Sequence, residues 1–288
     1  MLIAPEFPAI SPGNPPPSPP YSCFRRIDVV RRGSLDWPKL DRLTGLVVHA
    51  HRSQMNIIVH LFKSSLGKKY IMAISGGALL LFVVAHLLGN LQFFLGPEVL
   101  NRYGHFLQAN KEILWPARLG LLAMAALHLW AAVKLSAENK AARPVPYTDW
   151  NPTVASYASR TMLMSGLIIA AFVIYHLLHF TVQMKSINFT GQDFNGFQDA
   201  QGRHDIYRMM VAGFSCPLVS GFYVLAMALL CLHLSHGVGA MFQSVGWKNE
   251  VYGPWIDRCG KLLAGLIFLG YASIPIAVLL GYGKEAVK

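Results

Sequence analysis

The chain has 288 residues, of which 53% are hydrophobic and only 14% charged, and its formal net charge is +11. Soluble globular domains carry about 25% charged residues, so this composition excludes an ordinary soluble domain and reads as an integral membrane protein. The basic excess reads as lysines and arginines flanking apolar spans and meeting anionic membrane lipid, with no nucleic acid as partner.

Residues 1–20 are so dense in proline that neither helix nor sheet can form, and they lack the apolar stretch of a Sec-type signal peptide. Residues 21–54 are basic and show no fold. Together 1–54 read as a disordered N-terminal extension, and 55–288 as the membrane domain. One expectation is that Met55, not Met1, is the true start. After Met55, residues Ile57, Ile58, Leu61 and Phe62 share one helical face beside Lys63, Lys68 and Lys69, as in a short helix lying on a membrane surface.

Five apolar spans follow, at about 70–95, 116–137, 160–184, 217–245 and 260–282, each long enough to cross a bilayer. The fold class expected is therefore all-α integral membrane, five transmembrane helices with a four-helix bundle among them. The longest connection, Asn188 to Arg208, is polar and contains glycine. Lysines and arginines at span ends are biased toward the side of Lys63, Lys68 and Lys69, which places the N-terminus in the cytoplasm of a cell whose inner (cytoplasmic) membrane holds the chain. The four cysteines, at 23, 216, 231 and 259, form no CxxC pair and signal neither zinc nor an iron–sulfur cluster.

A duplication runs through the first four spans. Ser75-Gly76 precedes His86-Leu87-Leu88 in the first, and Ser165-Gly166 precedes His176-Leu177-Leu178 in the third, with the same eleven-residue step from serine to histidine. Leu122-Ala-Met-Ala precedes His128-Leu129 in the second span, and Leu225-Ala-Met-Ala precedes His233-Leu234 in the fourth. The four spans thus read as two copies of one helical hairpin, each supplying two histidines.

A helix rises about 1.5 Å per residue. His86 and His176 then lie toward the outer face, and His128 and His233 toward the cytoplasm. A polar ring inside a bilayer is a site hypothesis by default. Four of them in two layers suit two stacked haems, each iron held by two imidazoles, which carries electrons and leaves no position for oxygen. Without a CxxCH motif the haems would be b-type. Gly76, Gly77, Gly120, Gly166 and Gly221 would let a flat cofactor approach the backbone. His179 and His236 compete with His176 and His233, one helical turn away. The eleven-residue step selects His176, and the shared Leu-Ala-Met-Ala selects His233. His179 and His236 read as groups at a haem edge or as polar packing, and His49, His51 and His60 as solvated.

The ordered stretches GKKYIMAISG, AHLLGNLQFFLGPEVLNRYGHFLQ, ALHLW, SGLIIAAFVIYHLL, DAQGRHDIYRM and FYVLAMALLCLHLSHGV resemble the single-subunit, five-helix, di-haem cytochrome b of succinate dehydrogenase and fumarate reductase, from about Met55 to the C-terminus. The resemblance implies a membrane anchor for a flavoprotein subunit and an iron–sulfur subunit, passing electrons between succinate chemistry and a quinone, usually menaquinone. It implies His128 and His233 as axial ligands of the haem nearer the iron–sulfur subunit, and His86 and His176 as those of the outer haem. It also suggests a carboxylate for proton exchange at the quinone site. The candidate is Glu98, with Arg102 and His105 beside it, its pKa raised toward neutrality by partial burial. The competing reading of Glu98 is a carboxylate capping the helix after Gly96-Pro97. Arg118, Arg160 and Arg208 read as haem-propionate partners or as interfacial anchors. The chain has no dicarboxylate or flavin site of its own. Two alternatives remain: the cytochrome b of another respiratory complex, of hydrogenase or nitrate reductase type, and a proton transporter with histidine relays.

Overall fold

The computed structural model describes residues 57–143 and 157–287. The N-terminal extension, with Met55, Cys23, His49 and His51, lies outside the described residues. By contacts the chain separates into Met1–Gln54 and Met55–Lys288, and every element described belongs to the second unit.

A short helix α1 (Ile57–Lys63) is cut from the first span by Ser64. That residue has extended backbone, and its hydroxyl accepts from the Gly67 amide at 3.0 Å, the usual device for satisfying a free N–H at a helix start. The turn is so tight that a Cβ on Gly67 would sit 2.1 Å from the Leu61 carbonyl oxygen. Helix α2 (Ser65–Leu91) continues into a 3-10 turn, Gln92–Leu95. Gly96, at φ +95°, then reverses the chain in a conformation open to glycine. Pro97 follows at the first position of α3 (Pro97–Ala109), where its missing N–H costs nothing.

Helix α4 (Lys111–Ala141) starts five residues before the expected boundary and takes Pro116 inside it. The proline removes one bond near the helix start, where few ladder bonds have yet formed. Beyond the undescribed connection, α5 (Tyr157–Arg160) leads into α6 (Met162–His176), which ends in a π turn, Leu177–Thr181. The expected third span ran to 184; the helix stops at 181, and Gln183 turns the chain at φ +60°. Helix α7 (Ile206–Phe214), α8 (Pro217–Ser244) and α9 (Gly253–Leu279) complete the fold.

Among the described residues five helices are long and apolar enough to cross a membrane, and there is no strand, only one isolated bridge between Gln198 and His204. The fold is the expected five-span all-α architecture. Helix α2 packs on α4 and α8, α6 packs on α8 and touches α4, and α9 lies outside against α8 and α2. The first four spans therefore close a ring, and the fifth is a buttress. Large apolar side chains point outward along every span, Leu81, Leu122, Leu225 and Leu269 among them, as expected of surface that meets lipid.

Candidate functional site: two histidine pairs

The ring of spans brings the four histidines together as two pairs. The His86 and His176 rings stand 5.9 Å apart between centres, at 81° to one another. The His128 and His233 rings stand 6.4 Å apart, at 65°. No close ring contact joins one pair to the other among the described residues. The pairs are those expected from depth alone.

The distances bear on what each pair can hold. Two imidazoles on opposite sides of one metal, each bound through nitrogen at about 2.0 Å with the ring centre about 1.2 Å behind, would stand roughly 6.4 Å apart. Both pairs lie close to that spacing. Among the described residues no three His, Cys, Asp or Glu side chains gather as a ligand cluster. A haem asks the protein for only two, because the porphyrin supplies the other four nitrogens.

The hydrogen bonds of the His128–His233 pair set which ring nitrogen is left free. His128 Nδ1 lies 3.2 Å from the Met72 carbonyl oxygen and 3.3 Å from Ser75 Oγ. A carbonyl oxygen can only accept, so Nδ1 carries the proton and the Nε2 lone pair is left for a metal. His233 repeats the serine contact: its Nδ1 lies 3.3 Å from Ser165 Oγ, and the Met162 backbone stands beside the ring. Ser75 Oγ gives its own proton to the Ile71 carbonyl, and Ser165 Oγ to that of Met162, so both hydroxyls are free to accept. A Cβ on Gly76 would come within 3.0 Å of His128 Cε1, and one on Gly166 within 3.3 Å of His233 Cε1. The duplicated Ser-Gly step is thus the socket for the histidine of the next span. Its third member, the methionine carbonyl three residues earlier, escaped sequence reasoning because a backbone group leaves no mark in a motif. Of the other glycines, Gly77 faces the Met241 sulfur, and Gly120 and Gly221 face open space.

The His86–His176 pair is held differently. His86 stacks on Phe82 at 5.2 Å and lies 6.2 Å from the Tyr271 ring, whose hydroxyl donates to the Val83 carbonyl. His176 Nδ1 is 3.4 Å from the Tyr223 hydroxyl. His179 is fully buried and bonded to that same hydroxyl, so it is packing that supports the pair, one of the two readings open to it. His236 is half-buried and sits within the fields of Lys248 and Asp257, a charged pair where α8 passes into α9. His60 is exposed, as expected.

Glu98 departs from expectation. Its side chain is 58% exposed and held by Arg203 through two bonds, 3.2 and 2.6 Å. The Arg203 bond holds the carboxyl below the ordinary value of 4.5, not above it. Burial pushes the neighbouring Asp199 up, but hydrogen bonds from the Arg203 side chain and from the backbone of Arg203 and Gln201 outweigh it and leave its pKa lowered. Glu98 also sits in the first turn of α3, where the helix dipole favours a negative charge, but its carboxylate bonds Arg203 and not the helix amides. His105 is exposed. Of the three quinone-site candidates, Arg102 lines an open surface cleft of about 340 Å³, with Gln92, Val99, Tyr103 and Phe106. Arg118 lies over the Trp115 ring and Arg208 over Phe197.

Because both carboxyls are lowered on folding, the stability they supply is present above the ordinary carboxylate range and lost as pH falls through their lowered values. Protease cleavage of the connection between Asn188 and Arg208 is expected to stay constant from neutrality to about pH 5 and to rise below about pH 4. Timed digestion with an acid-active protease, against Glu98→Gln, measures this.

No protein-family model, curated protein or solved structure matches the chain.

Proposed function

We propose that the chain is the membrane cytochrome b subunit of a succinate:quinone oxidoreductase, a succinate dehydrogenase or fumarate reductase, holding two b haems. The observation that carries the haem reading is the spacing of the two histidine pairs, 5.9 and 6.4 Å. The choice of succinate over another respiratory donor rests on the ordered sequence stretches that resemble that family.

His128 and His233 would hold the iron of the haem nearer the cytoplasm, and His86 and His176 that of the haem nearer the outside. When bound, each haem accepts and releases one electron. The protein's own part is to keep each Nε2 unprotonated and aimed inward. In the inner layer the Met72 carbonyl and the Ser75 hydroxyl do this for His128, and the Ser165 hydroxyl for His233, by holding the Nδ1 protons. The apolar spans exclude water and bulk ions from the pairs. Quinone, menaquinone in this reading, meets the chain from the lipid. The cleft of Gln92, Arg102 and Tyr103 offers its oxygens hydrogen-bond donors at the outer end. The flavoprotein and iron–sulfur subunits dock on the cytoplasmic face, the side of the N-terminus and of Lys63, Lys68 and Lys69. The complex sits in the inner (cytoplasmic) membrane.

A reduced-minus-oxidised spectrum of the purified chain tests the haem reading, with a b-type α-band and two haems per chain expected. Membranes holding the complex are then given succinate: reduction of the same band is expected. No α-band overturns the cytochrome. An α-band that hydrogen or formate reduces, and succinate does not, replaces the donor.

A further inference from the structure

The two layers differ in what receives the Nδ1 proton of the ligand histidines. In the inner layer the receivers are backbone and serine, placed alike in both hairpins. In the outer layer His176 faces a phenol, and that phenol is shared. The Tyr223 hydroxyl lies 3.4 Å from His176 Nδ1 and 3.0 Å from His179 Nδ1. Tyr223 and His179 are 7% and 0% exposed, so water does not compete for these bonds.

We infer that Tyr223 is a positioning residue for the outer haem, fixing the His176 tautomer and setting that haem's reduction potential through a phenol bridge anchored on His179. The inference rests on the proposed function.

The proton count follows from the ligand role. His176 must leave Nε2 bare, so its Nδ1 carries a proton and donates it to the Tyr223 oxygen. The phenol has one proton, which then goes to His179 Nδ1. His179 in turn is protonated at Nε2, a buried atom with no partner among the described residues. The orphan is what the bridge costs, and it is tolerated because the π turn Leu177–Thr181 locks His179 among Tyr175, Phe180 and Phe194. Single π turns inside helices recur at functional sites.

A hydrogen bond accepted from Nδ1–H makes the ligand more basic and favours the ferric iron. Removing it should raise the potential of the outer haem alone. Spectroelectrochemical titration of the haem-loaded chain reads both potentials. Tyr223→Phe is expected to shift one haem upward and leave the other in place. His179→Leu, which takes away the phenol's acceptor, should shift the same haem upward by less. His179→Asn, whose side-chain oxygen can stand where Nδ1 stood, should return it toward the wild-type value. If Tyr223→Phe moves neither potential, or both equally, the inference is overturned. If that variant loses haem, the His179 pair decides: a shift with Leu that Asn reverses supports the bridge, and no shift overturns it. A wild-type chain without any haem band overturns the proposed function itself, whereas a haem-bearing chain with unmoved potentials overturns only the bridge.

Discussion

On the proposed function, alanine at His233 is expected to remove one haem and leave the other, while alanine at His236 leaves both. The two residues lie one helical turn apart on α8, so the comparison isolates the ligand role from mere polarity in the span. His233 sits in the Ser165 socket and faces His128 at 6.4 Å. His236 sits toward the charged end of α8, near Lys248 and Asp257. A b haem held by one imidazole loses its second axial bond and its low-spin spectrum, and the α-band should fall by about half. The four single variants then sort into two classes. His128→Ala should match His233→Ala, and His86→Ala should match His176→Ala, each class sparing the other haem. The double variant of His128 and His233 should be no worse than either single, whereas His86 with His233 should abolish the band. Haem-to-protein ratio and the potential of the surviving haem measure this directly. Loss of both haems on removing His233 alone would mean that the layers are not independent.

The parts of this arrangement that were legible in the sequence are those that repeat. Span length and apolarity gave five helices because lipid leaves a backbone no other partner. The pairing of His86 with His176 and of His128 with His233 followed from helix rise, since depth depends only on residue number once the spans are placed. The serine–glycine step was visible as a repeat, but its purpose was not: that Ser75 serves His128 on the next helix, and not His86 on its own, is a tertiary fact. Glu98 was misjudged because its partner, Arg203, lies far along the chain in a loop whose path no periodicity fixes. Helix α7 was hidden for a similar reason. Ile206–Phe214 is short and follows a polar connection, and it is nucleated by Asp205, whose carboxylate accepts from the Arg208 amide at 2.9 Å. The π turn at Leu177 follows from no local pattern; it belongs to the packing of His179 and Phe180 against Gly213.

Helix α7 also supplies the largest stability effect expected outside the histidine pairs. Replacing Asn101 with leucine, close in volume, should destabilise the domain by about 2–5 kcal/mol. Asn101 is 1% exposed on α3 and clasps α7 at both ends of its amide. Its oxygen accepts from the Tyr207 amide at 3.0 Å, one of the free N–H groups of the first turn of α7. Its nitrogen donates to Asp205 at 2.9 Å. Leucine strands the buried Tyr207 N–H and takes a donor from the cap of α7, and each unsatisfied buried group costs about 1–3 kcal/mol. The Glu98–Arg203 pair joins the same two regions of chain, yet its carboxylate is 58% exposed, and exposed ion pairs contribute about 0–1 kcal/mol. Burial therefore ranks the two: Asn101→Leu should lower the thermal midpoint of the detergent-solubilised chain by several degrees, and Glu98→Gln by one or two at most. Spectra at low temperature should keep both α-bands in either variant, because the clasp orders the outer cap and touches no histidine of either pair. A Glu98→Gln drop equal to that of Asn101→Leu would show that the outer cap is held by surface charge and not by the buried amide.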